Sequence, residues 1–123
     1  MQPYPTILAL ILGTVMLAGC GDGVPATRVP GGNAELGKRL IERYQCASCH
    51  RIPGVAGPNG DTAPALDTFG RASYLAGHVP NYPDALQRWI VDPPAVKPGT
   101  LMPAMGVAPG DARHMAAYLY TLR

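Results

Sequence analysis

The sequence predicts an all-α fold of three to five short helices, on three observations. Apolar residues recur at helical spacing in three separate stretches. Fourteen Pro and 15 Gly in 123 residues leave little room for long regular elements. The third observation is Cys46-Ala47-Ser48-Cys49-His50, two thiols two residues apart with an imidazole directly after them. That is the attachment pattern of a c-type haem, in which the thiols add to the porphyrin vinyl groups and His50 supplies a nitrogen to the iron. One Phe and one Trp make a thin core for a protein alone. One covalently bound haem, wrapped by the helices, would supply the missing apolar mass.

The elements follow in chain order. Residues 1–19 read as an export signal, because Ile7 to Ala18 is an apolar run too short to span a bilayer and the right length for a signal core. Its end, Leu17-Ala18-Gly19-Cys20, looks like the lipobox of bacterial lipoproteins, in which the Cys carries the lipid. One departure is that Met1 to Thr6 holds no Lys or Arg. Cysteine arithmetic favours the lipid: with Cys46 and Cys49 given to haem, Cys20 stands alone in an exported chain. Gly21 to Gly32 is rich in Gly and Pro and reads, with Cys20, as a flexible tether. As a coil it would average about 17–21 Å end to end, and about 40 Å at full stretch.

The domain proper is expected over 33–123. Its first helix runs from Asn33, a good N-cap, to Gln45, with Leu36, Leu40, Ile41 and Tyr44 on one face. Gly37 on that side is either a tolerated helical glycine or the mark of a close helix crossing. Arg51 to Thr68 reads as loop, and Phe69 to Gly77 as a short helix. Pro83 to Val91 is a helix with Leu86, Trp89 and Ile90 on one face, stopped by Pro93-Pro94. Ala95 to Val107 is loop again. The last helix runs from Pro109 to Leu122, with Ala112, Met115, Tyr118, Leu119 and Leu122 inward and Ala108 a poor N-cap.

Other chemistries fit the motif less well. A redox dithiol has no need of His50, and a closed zinc site wants about four ligands. Only His78 and His114 remain for zinc, and they form no ligand-like pair. The charge balance of +2, without a basic run, argues against nucleic acid as a partner. A haem iron held by one His needs a second axial ligand or keeps an open site. The candidates are His78, Met102, Met105, His114 and Met115. Met102 is favoured because it sits far downstream in a loop stiffened by Pro98 and Pro103, which would hold a weak thioether at low entropic cost. Met105 is the runner-up, and Met115 at helical spacing is more simply core.

At this point the sequence resembles a class I cytochrome c over about residues 33–123. It is similar in particular to the cytochrome c domains fused to subunit II of caa-type terminal oxidases, and to small lipoprotein cytochromes like them. The resemblance is carried by the helix before Cys46–His50, by Phe69-Gly70-Arg71, Leu75-Ala76-Gly77 and Pro80-Asn81, and by Arg88-Trp89-Ile90 with Asp92-Pro93. Lys97-Pro98-Gly99-Thr100-Leu101-Met102-Pro103 and Ala117-Tyr118-Leu119 complete it. It implies the class I cytochrome c fold, with His50 and Met102 as axial ligands and Arg71 among the residues at the haem. It implies a Pro carbonyl that receives the proximal imidazole N–H. Pro64 falls at the right distance from Phe69 for that role, whereas Gly57-Pro58-Asn59 matches locally but lies too far away. Trp89 would sit behind the methionine and exclude water, and Gly37 would cross against Tyr118. His78 reads as a surface imidazole.

The function this implies is a membrane-tethered, monohaem electron carrier of a respiratory chain on the periplasmic side of a bacterial membrane. Its expected partner is a membrane redox complex, a cytochrome c oxidase of the haem–copper type, with no small-molecule substrate. His/Met ligation would raise the reduction potential relative to bis-His. The alternatives are a haem enzyme or gas sensor with a displaceable sixth ligand, or an electron carrier for a periplasmic dehydrogenase.

Overall fold

A computed structural model describes residues 26–123. The order is helix α1 (Ala34–Arg43), a 3-10 turn Cys46–Ser48, a second 3-10 turn Phe69–Arg71, and strands β1 (Tyr74–Leu75) and β2 (Val79–Pro80). Helices α2 (Pro83–Val91), α3 (Pro93–Val96) and α4 (Pro109–Leu119) follow. The signal segment, Cys20 and the tether as far as Pro25 lie outside the described residues.

Helix α1 starts where a short polar side chain can satisfy an orphan amide. The Asn33 side chain accepts from the Leu36 N–H at 2.9 Å. The buried face holds Gly37, Leu40 and Ile41, and it packs across α4, whose buried residues are Ala112, Met115, Ala116 and Leu119. The crossing is close because Gly37 has no Cβ: one built there would run into the His114 carbonyl and lie 3.0 Å from the Met115 amide. The backbones meet at Gly37 and His114, one turn before Tyr118, the partner expected for Gly37; the Tyr118 hydroxyl donates to the Pro53 carbonyl at 2.6 Å. Two polar contacts brace the crossing: the Asn33 N–H donates to His114 Nδ1 at 3.0 Å, and the Tyr44 hydroxyl to Asp111 Oδ2 at 2.9 Å.

Three local expectations are revised. The short helix expected over 69–77 is a single 3-10 turn followed by an antiparallel pair, Tyr74 opposite Pro80 and Leu75 opposite Val79. Ala76 at φ 53° and Gly77 at φ 86° reverse the chain between the strands, and neither φ is helical. The loop expected from Ala95 begins inside one more helical turn, because Asp92 both ends α2 and caps α3, accepting from the Ala95 N–H at 3.2 Å. Pro93 and Pro94 thus stop one helix and start another, since a first turn tolerates a missing N–H. The last part of the expected tether, from Val29, is held against the domain. Val29 is 8% exposed, Gly32 donates to its carbonyl at 2.9 Å, and a Cβ at Gly32 would come within 2.7 Å of the Ala117 Cβ. Burial of the Val29 side chain pins this end of the Gly/Pro-rich stretch to the domain.

Tyr120 is a core residue that the helical stripe did not include. It is 1% exposed, its ring lies 6.0 Å from that of Phe69, and its hydroxyl donates to Asn81 Oδ1 at 2.9 Å. Burial pushes its phenol from 10.0 up to about 12. Between those values the unfolded chain releases the proton and the folded chain keeps it. Stability should therefore be intact below the lower value and fall through the window, by at most about 1.4 kcal/mol per pH unit. Tyr120→Phe should flatten that alkaline slope, read as the urea midpoint across the window. A slope unchanged by the substitution would mean that another group titrates there.

Candidate haem site

The chain leaves α1 through Gln45, whose left-handed backbone (φ 56°, ψ 33°) reverses direction into the Cys46–Ser48 turn. The Cys46 carbonyl accepts from both the Cys49 and His50 N–H groups, at 3.3 and 3.1 Å. A 3-10 turn stacks residues i and i+3, so Cys46 and Cys49 share one side of it. Neither is in a disulfide; Cys46 is half-buried and Cys49 exposed. Burial pushes the Cys46 thiol up, and the neighbouring Cys49 adds to the rise. Among the described residues no three His, Cys, Asp or Glu side chains converge as a metal-holding group.

The loop after the motif folds back and zips onto it. Gly60 donates to the Ala47 carbonyl at 2.9 Å, Ala63 to Cys49 at 3.1 Å, and Leu66 to Arg51 at 2.9 Å. The first of these contacts requires a glycine, because a Cβ at Gly60 would meet the Ser48 carbonyl. This register carries Pro64 beside His50, with His50 Nδ1 2.7 Å from the Pro64 carbonyl. A carbonyl can only accept, so Nδ1 carries a proton, and in the neutral ring Nε2 is the nitrogen with a free lone pair. Pro58 is exposed and its carbonyl is not the one at Nδ1. Arg51 pairs with Asp67 at 3.0 Å, and the hydrogen bond from Arg51 holds the Asp67 carboxyl below its usual range. Both side chains are open to water, so the pair is a weak clasp on the same loop.

The other sequence-derived residues lie on the far segments. Met102 is half-buried, and Thr100 Oγ1 accepts its N–H at 3.3 Å. Met105 is 47% exposed. The half-buried Lys97 donates from Nζ to the Ala76 carbonyl at 3.0 Å, tying the methionine loop to the hairpin. Trp89 is half-buried against the core. Arg71 is exposed on its 3-10 turn, and His78 is exposed between the strands. Asp67, Thr100 and Lys97 were not singled out in the sequence, although Lys97 and Thr100 stand in the segment that carries the resemblance.

The donor set suits haem: two unpaired thiols on one turn, and an imidazole with one nitrogen engaged and the other available. Leu66, which is hydrogen-bonded to the loop just after the motif, is one of several apolar residues only partly covered by protein. Fold and site together define a monohaem c-type electron carrier. Residues 34–123 match the Cytochrome c family, and the chain belongs to it. It is 33% identical over 91 residues to cytochrome c oxidase subunit 2 of Alkalihalophilus pseudofirmus, covering 73% of this chain and 26% of that protein. It is 31% identical over 100 residues to the c-type cytochrome cy of Rhodobacter capsulatus, covering 74% of this chain and 50% of that one. The chain thus spans about a quarter to a half of the length of these relatives. Among solved structures, SoxXA from P. pantotrophus superposes with a TM-score of 0.53 at 25% identity, over 74% of this chain and 82% of that chain. The family carries covalently bound haem c and transfers electrons, and Cys46 and Cys49 stand at the spacing that attachment needs.

Proposed function

We propose that this chain is a lipid-anchored monohaem cytochrome with His50 and Met102 as axial ligands, passing single electrons to a haem–copper terminal oxidase. The observation that carries the reading is His50 itself. Its Nδ1 is committed to the Pro64 carbonyl at 2.7 Å, so only Nε2 can ligate, from the position directly after both attachment thiols. Haem supplies a one-electron iron couple. Cys46 and Cys49 hold it covalently, and Pro64 fixes the imidazole ring and raises its basicity. Met102, half-buried where Met105 is exposed, would supply the second ligand to the iron. Arg71 contributes at the haem, and Trp89 keeps water from the methionine side. An iron held by both His50 and Met102 would leave no position open to substrate, which favours electron transfer over peroxidase or sensor chemistry. Similarity to an oxidase subunit 2 supports the choice of partner.

The anchor is Cys20, placing the domain on the periplasmic side of the cytoplasmic membrane. Electron delivery is expected to depend weakly on ionic strength, because a net charge of +2 gives a poor steering field. A short tether replaces steering with effective concentration near the bilayer. Cys20→Ser should block lipidation, and the unanchored domain should reduce the oxidase more slowly at equal bulk concentration with an unchanged visible spectrum. Equal rates would show that the tether serves another purpose, and absence of lipid on the mature Cys20 would remove the anchor from the proposal.

A further inference from the structure

On the side formed by α2, α3 and the start of α4 lies a groove of about 570 Å³ that contains none of the haem-site residues. Val91, Val96 and Pro109 are its apolar lining, and Arg88, Asp92 and Arg113 are its charged lining. Both arginines are exposed, and among the described residues neither is in an ion pair. Asp92 offsets one charge and spends an oxygen on the Ala95 amide. The chain enters the domain beside this groove. A Cβ at Gly31 would lie 3.5 Å from the Arg113 side chain, and the exposed Arg28 is within about 10 Å of Gly31 along the chain.

We propose that this arginine-lined face rests on the anionic phospholipid surface that holds the anchor. The inference depends on lipidation of Cys20. Eight residues, 21–28, separate that cysteine from the buried Val29. They would span about 14–17 Å as a coil and about 28 Å at full stretch, so the entry point beside Arg113 stays within that distance of the anchor. Each arginine near an anionic surface is worth roughly a fivefold preference. Three such charges would not hold a free domain, but a short tether keeps them at millimolar effective concentration, where that preference is sufficient.

The test uses the full-length, lipidated holoprotein in vesicles of phosphatidylcholine alone, or of phosphatidylcholine and phosphatidylglycerol in equal parts. Arginine modification by phenylglyoxal is followed by peptide mass spectrometry. Arg28, Arg88 and Arg113 should react about threefold or more slowly on the anionic vesicles, in line with the per-charge preference, while Arg51, paired with Asp67, reacts alike on both. In the Arg88→Gln/Arg113→Gln protein, Arg28 should regain its reactivity. Equal rates on the two vesicle types overturn the proposal. Protection that appears only when membrane proteins are restored overturns it as well, and assigns the groove to a protein partner. A mature chain without lipid on Cys20, read from the mass of its N-terminal peptide, overturns the anchor and this face's role together.

Discussion

Met102→Ala should leave haem covalently attached, abolish the sulfur-to-iron charge-transfer band and lower the reduction potential. The attachment depends on Cys46 and Cys49, so folding around haem should survive. Axial ligand identity moves haem potentials over a range of about 0.8 V, and loss of a thioether shifts them downward. A fall on the order of 100 mV or more is therefore expected. Met105→Ala should change neither property, because that side chain is 47% exposed while Met102 is half-buried and its N–H is fixed by Thr100. If Met105→Ala alone removes the band, the two methionines exchange roles. The measurements are the near-infrared ferric spectrum and a redox titration of each variant.

Gly37→Ala should be the most damaging small substitution in the protein framework. In an exposed helix the change would stabilise by about 1 kcal/mol. Here the new methyl would be driven into the His114 carbonyl, and the helices cannot separate without breaking the contacts of Asn33 and Tyr44 to α4. Overpacking of this kind costs about 1–3 kcal/mol, and more where backbone is the obstacle, so the clash wins. A net loss of about 2 kcal/mol or more is expected, out of a total of about 5–15 for a small domain. Gly110→Ala is the matched control: a Cβ there meets nothing within 4 Å, and the variant should be neutral or slightly stabilised. Urea midpoints of the two holoproteins decide the matter. A Gly37→Ala midpoint equal to that of Gly110→Ala would contradict the close crossing.

The three principal helices were legible because each carries its own signal: Asn33 as a cap, Pro83 and Pro109 at first turns, and apolar stripes of period 3.6. Helix ends were less so, and the last helix stops at Leu119 although Leu122 continues the apolar pattern into the following turn. The hairpin was missed because its strands are two residues long, too short for alternation to register, and Ala76 adopts a left-handed φ that sequence seldom announces for alanine. Docking of Val29 was hidden because one apolar residue among Gly and Pro has no periodicity. At the site, the attachment motif was plain from spacing alone. The contact between His50 and Pro64 depends on three backbone hydrogen bonds that no local pattern encodes, and its sequence-level assignment came through resemblance. Likewise nothing in the sequence showed that Lys97 ties the methionine loop to the hairpin, since that contact joins residues 21 positions apart.

The central claim is that both axial positions of the iron are filled by this chain, so that the haem can only exchange electrons. Its most direct test is the addition of carbon monoxide to the reduced, periplasmically matured holoprotein, followed in the visible spectrum. The expected result is a spectrum of six-coordinate, low-spin haem that carbon monoxide changes slowly or not at all. A high-spin spectrum with rapid formation of the carbon monoxide adduct would contradict it, and would place the protein among haem enzymes or gas sensors.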